Sequence, residues 1–298
     1  MFPRIHGLVA ASHTPFHGDG SLNLAVVEQQ AEHLLQQQVQ AVFICGSTGE
    51  SHSLTVEERR QMAVRWMDVT RGSELNVIVH VGANCLEDAR ALAVQAGQLG
   101  AAGFAMLTPS YFKPASIDAL TDCCAHIAEA APQLPFYYYD IPSMTGVNQS
   151  MPEFLKVAGH RIRNLAGLKF TNIDLIAFQL CRDFEDQRFD ILWGVDELLL
   201  AALSYGAKGA VGSTYNFAAP IYHRLISAFQ TGDFEAARAE QLTSIRLVQV
   251  LAKRGYFASA KLLMERQGVA VGPPRLPHCR LSLTERDALY AELDELGF

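Results

Sequence analysis

Most of the short patterns by which a chain announces a cofactor are missing here. No G-x-G-x-x-G and no G-x-x-x-x-G-K-[ST] occurs, so a glycine-rich loop for a dinucleotide or a nucleoside triphosphate is excluded. Gly206, Gly209 and Gly212 have the wrong spacing for one and fall within an apolar run. The 6 cysteines and 10 histidines form no C-x-x-C and no H-E-x-x-H, so no metal is expected. Basic charge is scarce: Lys and Arg number 24 against 31 Asp and Glu, a net charge of −7, which speaks against a nucleic-acid partner. No apolar run is long enough to span a bilayer, and Met1-Phe2-Pro3-Arg4-Ile5-His6 leads into a strand without the apolar core of a secretory leader. No membrane partner is expected. Cys45 and Cys181 read as small core residues, and the expected location is a reducing, cytoplasmic one.

What is present is an ordinary globular composition, 49% apolar and 18% charged. Short apolar runs recur roughly every 30 residues: Gly7–Ser12, Ala41–Gly46, Asn76–Gly82, Gly103–Pro109, Pro135–Asp140, Leu165–Thr171, Phe189–Gly194 and Ala207–Ser213. Amphipathic segments of helical length lie between them. One follows the capping-box residues Thr55 and Glu58 and ends by Gly72; another runs from Cys85 to Leu99 and ends at Gly100. Strand, helix, strand at this spacing requires parallel pairing by crossover, and eight such units are the number that closes a barrel. The fold class is therefore α/β, a (β/α)8 TIM barrel; an open doubly wound sheet is the runner-up.

The chain continues past the eighth run. Helices are expected over Ile221–Phe229, Phe234–Arg254, Phe257–Gln267 and, from the cap at Ser282, to Leu296, with the extended tract Gly272–Pro277 between the last two. The division expected is a barrel over 1–225 and a helical extension over 226–298, packed on it as one compact unit.

In such a barrel chemistry sits where the strands end. The sixth run, Leu165-Ala166-Gly167-Leu168-Lys169-Phe170-Thr171, carries a lysine in its middle. Alternation places Gly167, Lys169 and Thr171 on one face, and Ala166, Leu168 and Phe170 on the other, a packing face. At an ordinary pKa near 10.4 a lysine is neutral about once in 2,500 molecules at pH 7. Burial that lowers it by roughly three units makes it a usable amine nucleophile. The alternative is an ammonium that snorkels to water.

Other strand ends supply complementary groups. Ser47 and Thr48, between Gly46 and Gly49, offer hydroxyls and backbone N–H groups to a carboxylate. Tyr139 lies last on its face of the Phe136–Asp140 run, where a phenol can relay protons. Asp196, Glu197 and Ser213 can accept hydrogen bonds from a polyhydroxylated substrate. Together these are the equipment of a Schiff-base aldolase, which needs no cofactor because the lysine imine is the electron sink.

Gly46-Ser47-Thr48-Gly49-Glu50, Tyr139 with Ile141-Pro142, and Gly167-Leu168-Lys169 resemble the pyruvate-dependent class I aldolases that include dihydrodipicolinate synthase and N-acetylneuraminate lyase. Leu192–Glu197, Gly209–Asn216 and Gly272–Pro277 extend the similarity over nearly the whole chain, on the side of the sialic acid lyases. The resemblance implies that Lys169 forms the imine, Ser47 and Thr48 hold the pyruvyl carboxylate, and Tyr139 handles the proton of the C4 hydroxyl. It assigns Thr171, Gly194, Asp196, Glu197 and Ser213 to the sugar portion. It sets Tyr111 near the active site of a neighbouring subunit and implies a homotetramer. The small-molecule partners implied are a keto sugar acid and pyruvate.

Two positions depart from relatives. Met144 stands where synthases that take aspartate semialdehyde carry an arginine, which weakens the synthase reading. Asp140 replaces an asparagine or histidine and, by alternation, points away from Tyr139, so its effect is expected on packing or subunit contact. A sibling aldolase for another 2-keto sugar acid is the nearest alternative, and a keto-acid-binding barrel without catalysis the remote one.

Overall fold

The eight expected runs become eight parallel strands: β1 Gly7–Ala11, β2 Ala41–Ile44, β3 Asn76–His80, β4 Gly103–Met106, β5 Phe136–Asp140, β6 Leu165–Phe170, β7 Asp190–Trp193 and β8 Gly209–Gly212. In a computed structural model describing residues 2–298, they pair in sequence order and β1 closes on β8, which makes the barrel. Helices follow each strand, among them Val56–Val69 after β2, Leu86–Leu99 after β3 and Leu175–Asp183 after β6. The Thr55 cap forms as expected: Thr55 Oγ1 accepts from the Glu58 N–H at 3.2 Å, and the Thr55 N–H donates to Glu58 Oε2 at 2.8 Å.

Alternation divides the apolar residues into two layers. Val9, Phe43, Ile78, Tyr137, Tyr139, Leu192 and Val211 point inward and fill the barrel. Leu8, Val42, Val79, Phe104, Leu168 and Phe170 point outward to the helices. Phe178 locks the helix Leu175–Asp183 to β6 and β7, with its ring 5.8 Å from Phe170 and 5.1 Å from Trp193. Each such fully buried apolar side chain is worth about 1.5–3 kcal/mol.

Ala166 is the exception to alternation. Tyr137 pairs with Gly167 while Phe136 pairs with Leu165, so a bulge skips Ala166 and turns it to the inner layer instead of the packing face. Gly167 is held to glycine by closeness: a Cβ there would lie 1.7 Å from the Asp190 carbonyl oxygen on β7.

The extension is built from Phe234–Ala252, Tyr256–Arg266 and Leu283–Glu295. The expected boundary at 225 falls inside the helix Ala219–Thr231, which belongs to the eighth β/α unit; Gly232, in the left-handed region at φ +81°, ends it. The extension is tied to the C-terminal end of the barrel strands by buried charge. Lys261 Nζ lies 2.6 Å from Glu50 Oε1 and donates to the Thr14 carbonyl at 2.9 Å. The Arg275 N–H donates to Glu50 Oε2 at 2.8 Å, and its guanidinium pairs with Glu58 and donates to Gly20 O at 2.7 Å. No helix among the described residues is long and apolar enough to cross a membrane.

Candidate active site

At the C-terminal end of the strands lies a cavity of about 720 Å³. Lys169 enters it from β6, 4% exposed. Its Nζ stands 3.9 Å from the Tyr139 ring centre and 4.0 Å from that of Phe43. Burial lowers the Lys169 pKa from 10.5 to about 7, against the opposing pull of the Asp196 carboxylate. The amine does not snorkel.

Tyr139 is the register partner of Lys169 across β5 and β6. Burial pushes its phenol up to about 12, and the Ser47 hydroxyl, 3.4 Å from the Tyr139 oxygen, acts in the other direction. The phenol therefore stands between the amine and the loop after β2.

That loop is bent by two non-glycine residues in the left-handed region, Cys45 and Glu50, both at φ +56°. Gly46 can only be glycine, because a Cβ would lie 2.5 Å from the Phe43 ring. The Glu50 N–H is spent on Ser47 O and the Ser51 N–H on Gly46 O. Those of Ser47 and Thr48 donate to no backbone atom among the described residues, which leaves them for an anion.

The remaining wall comes from the ends of β6, β7 and β8. Thr171 Oγ1 is buried with no hydrogen-bond partner among the described residues. Gly194 makes room for it, since a Cβ there would stand 2.1 Å from that oxygen. Asp196 Oδ2 accepts from the Thr214 N–H at 3.0 Å and from Thr214 Oγ1 at 2.6 Å. Burial raises the Asp196 carboxyl to about 6, and these hydrogen bonds limit the rise. Glu197 lines the cavity beside it, and Ser213 Oγ lies 2.6 Å from the Tyr256 hydroxyl.

Ser47, Thr48, Tyr139, Lys169, Thr171, Gly194, Asp196, Glu197 and Ser213 thus line one cavity. Tyr111 does not join them: it is 79% exposed, edge to face with Phe112, and outside the cavity of its own chain. Asp140 turns away from the cavity, is buried, and accepts from Asn172 Nδ2 at 3.3 Å.

Sequence reasoning did not place Val248, Tyr256 and Phe257, which reach the cavity from the extension. The aromatic pair directly after Gly255 was the available signal. For a metal the ligands do not converge. His13 and His17 are four residues apart, but Pro15 lies between them, with His13 buried and His17 exposed. No group of three His, Cys, Asp or Glu side chains comes together among the described residues.

A buried amine near neutrality, a phenol beside it and an anion cradle beyond the phenol can form and break an imine of a 2-keto acid. The model of the dihydrodipicolinate synthetase family matches residues 4–296. The N-acetylneuraminate lyase of Homo sapiens is 41% identical over 305 residues, covering 100% of this chain and 95% of that protein. The structure of the Proteus mirabilis N-acetylneuraminate lyase superposes with a TM-score of 0.97 at 38% identity, covering 99% of this chain and 100% of that one. That of the Aliivibrio salmonicida sialic acid aldolase gives 0.97 at 40% identity, covering 100% and 98%. With a match along nearly its whole length and with these relatives, the chain belongs to the dihydrodipicolinate synthetase family.

Proposed function

We propose that the protein is a Schiff-base aldolase that cleaves N-acetylneuraminate reversibly to N-acetylmannosamine and pyruvate. The observation that carries this reading is Lys169: a buried amine with a pKa brought to about 7, in a cavity whose lining also offers a carboxylate and hydroxyls. The chain's similarity to relatives that bear the lyase name supports the choice of substrate.

The neutral Nζ attacks the ketone carbon of the open-chain sugar; the carbinolamine takes up a proton from solvent and loses water, which leaves an iminium. Ser47 and Thr48 hold the adjoining carboxylate. The faces of Tyr139 and Phe43 favour the positive charge that the iminium carries, an effect of about 1–2 kcal/mol. The C3–C4 bond then breaks: its electron pair moves into the iminium to give an enamine, while the C4 hydroxyl becomes the aldehyde of N-acetylmannosamine and releases its proton. Tyr139, neutral at pH 7 because its pKa lies near 12, receives that proton as it passes its own on toward Ser47 and the bound carboxylate. Protonation of the enamine and hydrolysis free pyruvate and restore the amine. Asp196, Glu197 and Ser213 hold the polyol, and no metal or organic cofactor is needed.

Met144 at the cavity wall offers no cation to a second carboxylate, which disfavours a condensation with aspartate semialdehyde. A homotetramer is part of the same reading, with Tyr111 reaching a neighbouring subunit. The test is a coupled assay of pyruvate released from N-acetylneuraminate against other 2-keto sugar acids, with and without EDTA. Preference for N-acetylneuraminate, unchanged by EDTA, is expected; preference for another keto acid overturns the substrate assignment.

A further inference from the structure

We infer that Gln241, on the extension helix Phe234–Ala252, is a positioning residue for the sugar half of the site. It acts through Asp196, so that this one helix of the extension sets how tightly a polyol is held and leaves imine formation to other elements. The inference rests on the aldolase reading above.

The helix reaches the turn Asp196–Leu198 from behind. Gln241 Nε2 donates to the Asp196 carbonyl at 3.1 Å, and Gln241 Oε1 accepts from the Leu200 N–H at 2.8 Å. One buried amide thus clamps both ends of the turn, using a donor and an acceptor on a single loop. Ser244 lies on the same helix face, three residues on. Its Oγ is 2.7 Å from the Tyr222 hydroxyl, which is 2.6 Å from Thr214 Oγ1, which in turn is 2.6 Å from Asp196 Oδ2. An ionised carboxylate only accepts, so the order of donation is fixed: Thr214 to Asp196, Tyr222 to Thr214, Ser244 to Tyr222.

The helix Phe234–Ala252 therefore holds the Asp196 backbone directly through Gln241, and supports its side chain at a remove, from Ser244 through Tyr222 on the helix Ala219–Thr231 and then Thr214. On the other side the carboxylate packs against bare backbone, since a Cβ on Gly212 would lie 1.9 Å from Asp196 Oδ1. Gln241 does not line the cavity, whereas Lys169, Tyr139 and the Ser47–Thr48 cradle are carried by β6, β5 and the loop after β2. The hydrogen bonds of Gln241 reach the substrate through the turn that bears Asp196 and Glu197, while Val248 of the same helix lines the cavity directly.

The experiment compares the full-length wild type with Gln241→Leu and Gln241→Met. It measures kcat and KM for pyruvate release from the sugar acid and, separately, the pyruvate concentration that half-saturates borohydride trapping without sugar. Loss of these buried hydrogen bonds is expected to raise KM for the sugar acid about tenfold, with kcat within about twofold and half-saturation by pyruvate unchanged. Gln241→Met has nearly the shape of glutamine and keeps its packing, so it decides the matter if Gln241→Leu folds poorly. Unchanged KM in the variants, or KM and pyruvate half-saturation rising together, overturns the inference. If the wild type cleaves a different 2-keto sugar acid, the substrate assignment fails and the comparison is made with that acid; a wild type that cleaves none overturns both.

Discussion

Lys169 and Tyr139 face each other across neighbouring strands, with the amine nitrogen 3.9 Å from the centre of the phenol ring. The same burial that makes the amine reactive is a burden on the folded state. Unfolded, Lys169 holds its proton up to about pH 10; folded, it releases it near pH 7. Between those values the unfolded chain binds more protons, so this residue's contribution to stability improves with rising pH, and its cost is full below pH 7.

Replacing the amine therefore trades activity for stability. Lys169→Met is expected to abolish turnover and to raise the free energy of unfolding by about 2–4 kcal/mol at pH 7. The gain should shrink as pH approaches 10. Urea titrations of both proteins across that range check the sign, and a destabilised Lys169→Met would contradict it.

Tyr139→Phe removes the relay but keeps the ring under the amine. Turnover is expected to fall by about 10²–10⁴-fold, while pyruvate still forms a trappable imine. Steady-state rates beside adduct yields separate the two steps. Equal loss of both would place Tyr139 in imine formation instead.

Glu50 shows a charge that serves the cradle from outside it. Its partner Lys261 is buried with it, and removing one member of a buried pair leaves the other uncompensated. Lys261→Met is expected to cost about 3–5 kcal/mol of stability, with part recovered in Lys261→Met/Glu50→Gln. Denaturant midpoints of the single and double variants measure the coupling.

Asp140 offers the opposite titration. Burial raises its carboxyl to about 6, with Asn172 donating to it in partial compensation. The folded state then binds more protons than the unfolded between about pH 4 and 6, so stability falls as pH rises through that window. Asp140→Asn is expected to stabilise the protein by roughly 1–3 kcal/mol at pH 7 and by little below pH 4, leaving kcat/KM within about twofold. Melting curves at the two pH values, together with rates, check this.

The barrel was legible because each strand is a short apolar run bounded by turn residues, and the chain repeats that unit eight times. The rim residues were legible because polar groups at strand ends have few other reasons to be there. Ala166 was misplaced because a bulge is invisible to strict alternation. Tyr256 and Gln241 lie on helices far along the chain, and only packing brings them to the β7 and β8 loops. Glu50 could be read as part of a turn, but its partner Lys261 is more than 200 residues away, beyond any local pattern.

The central measurement is reduction with borohydride in the presence of pyruvate, followed by mass mapping of the full-length protein. One irreversible pyruvyl adduct is expected, on Lys169 alone, and none in Lys169→Met. An adduct on another lysine, or turnover that survives in folded Lys169→Met, would contradict the assignment of the imine to this residue.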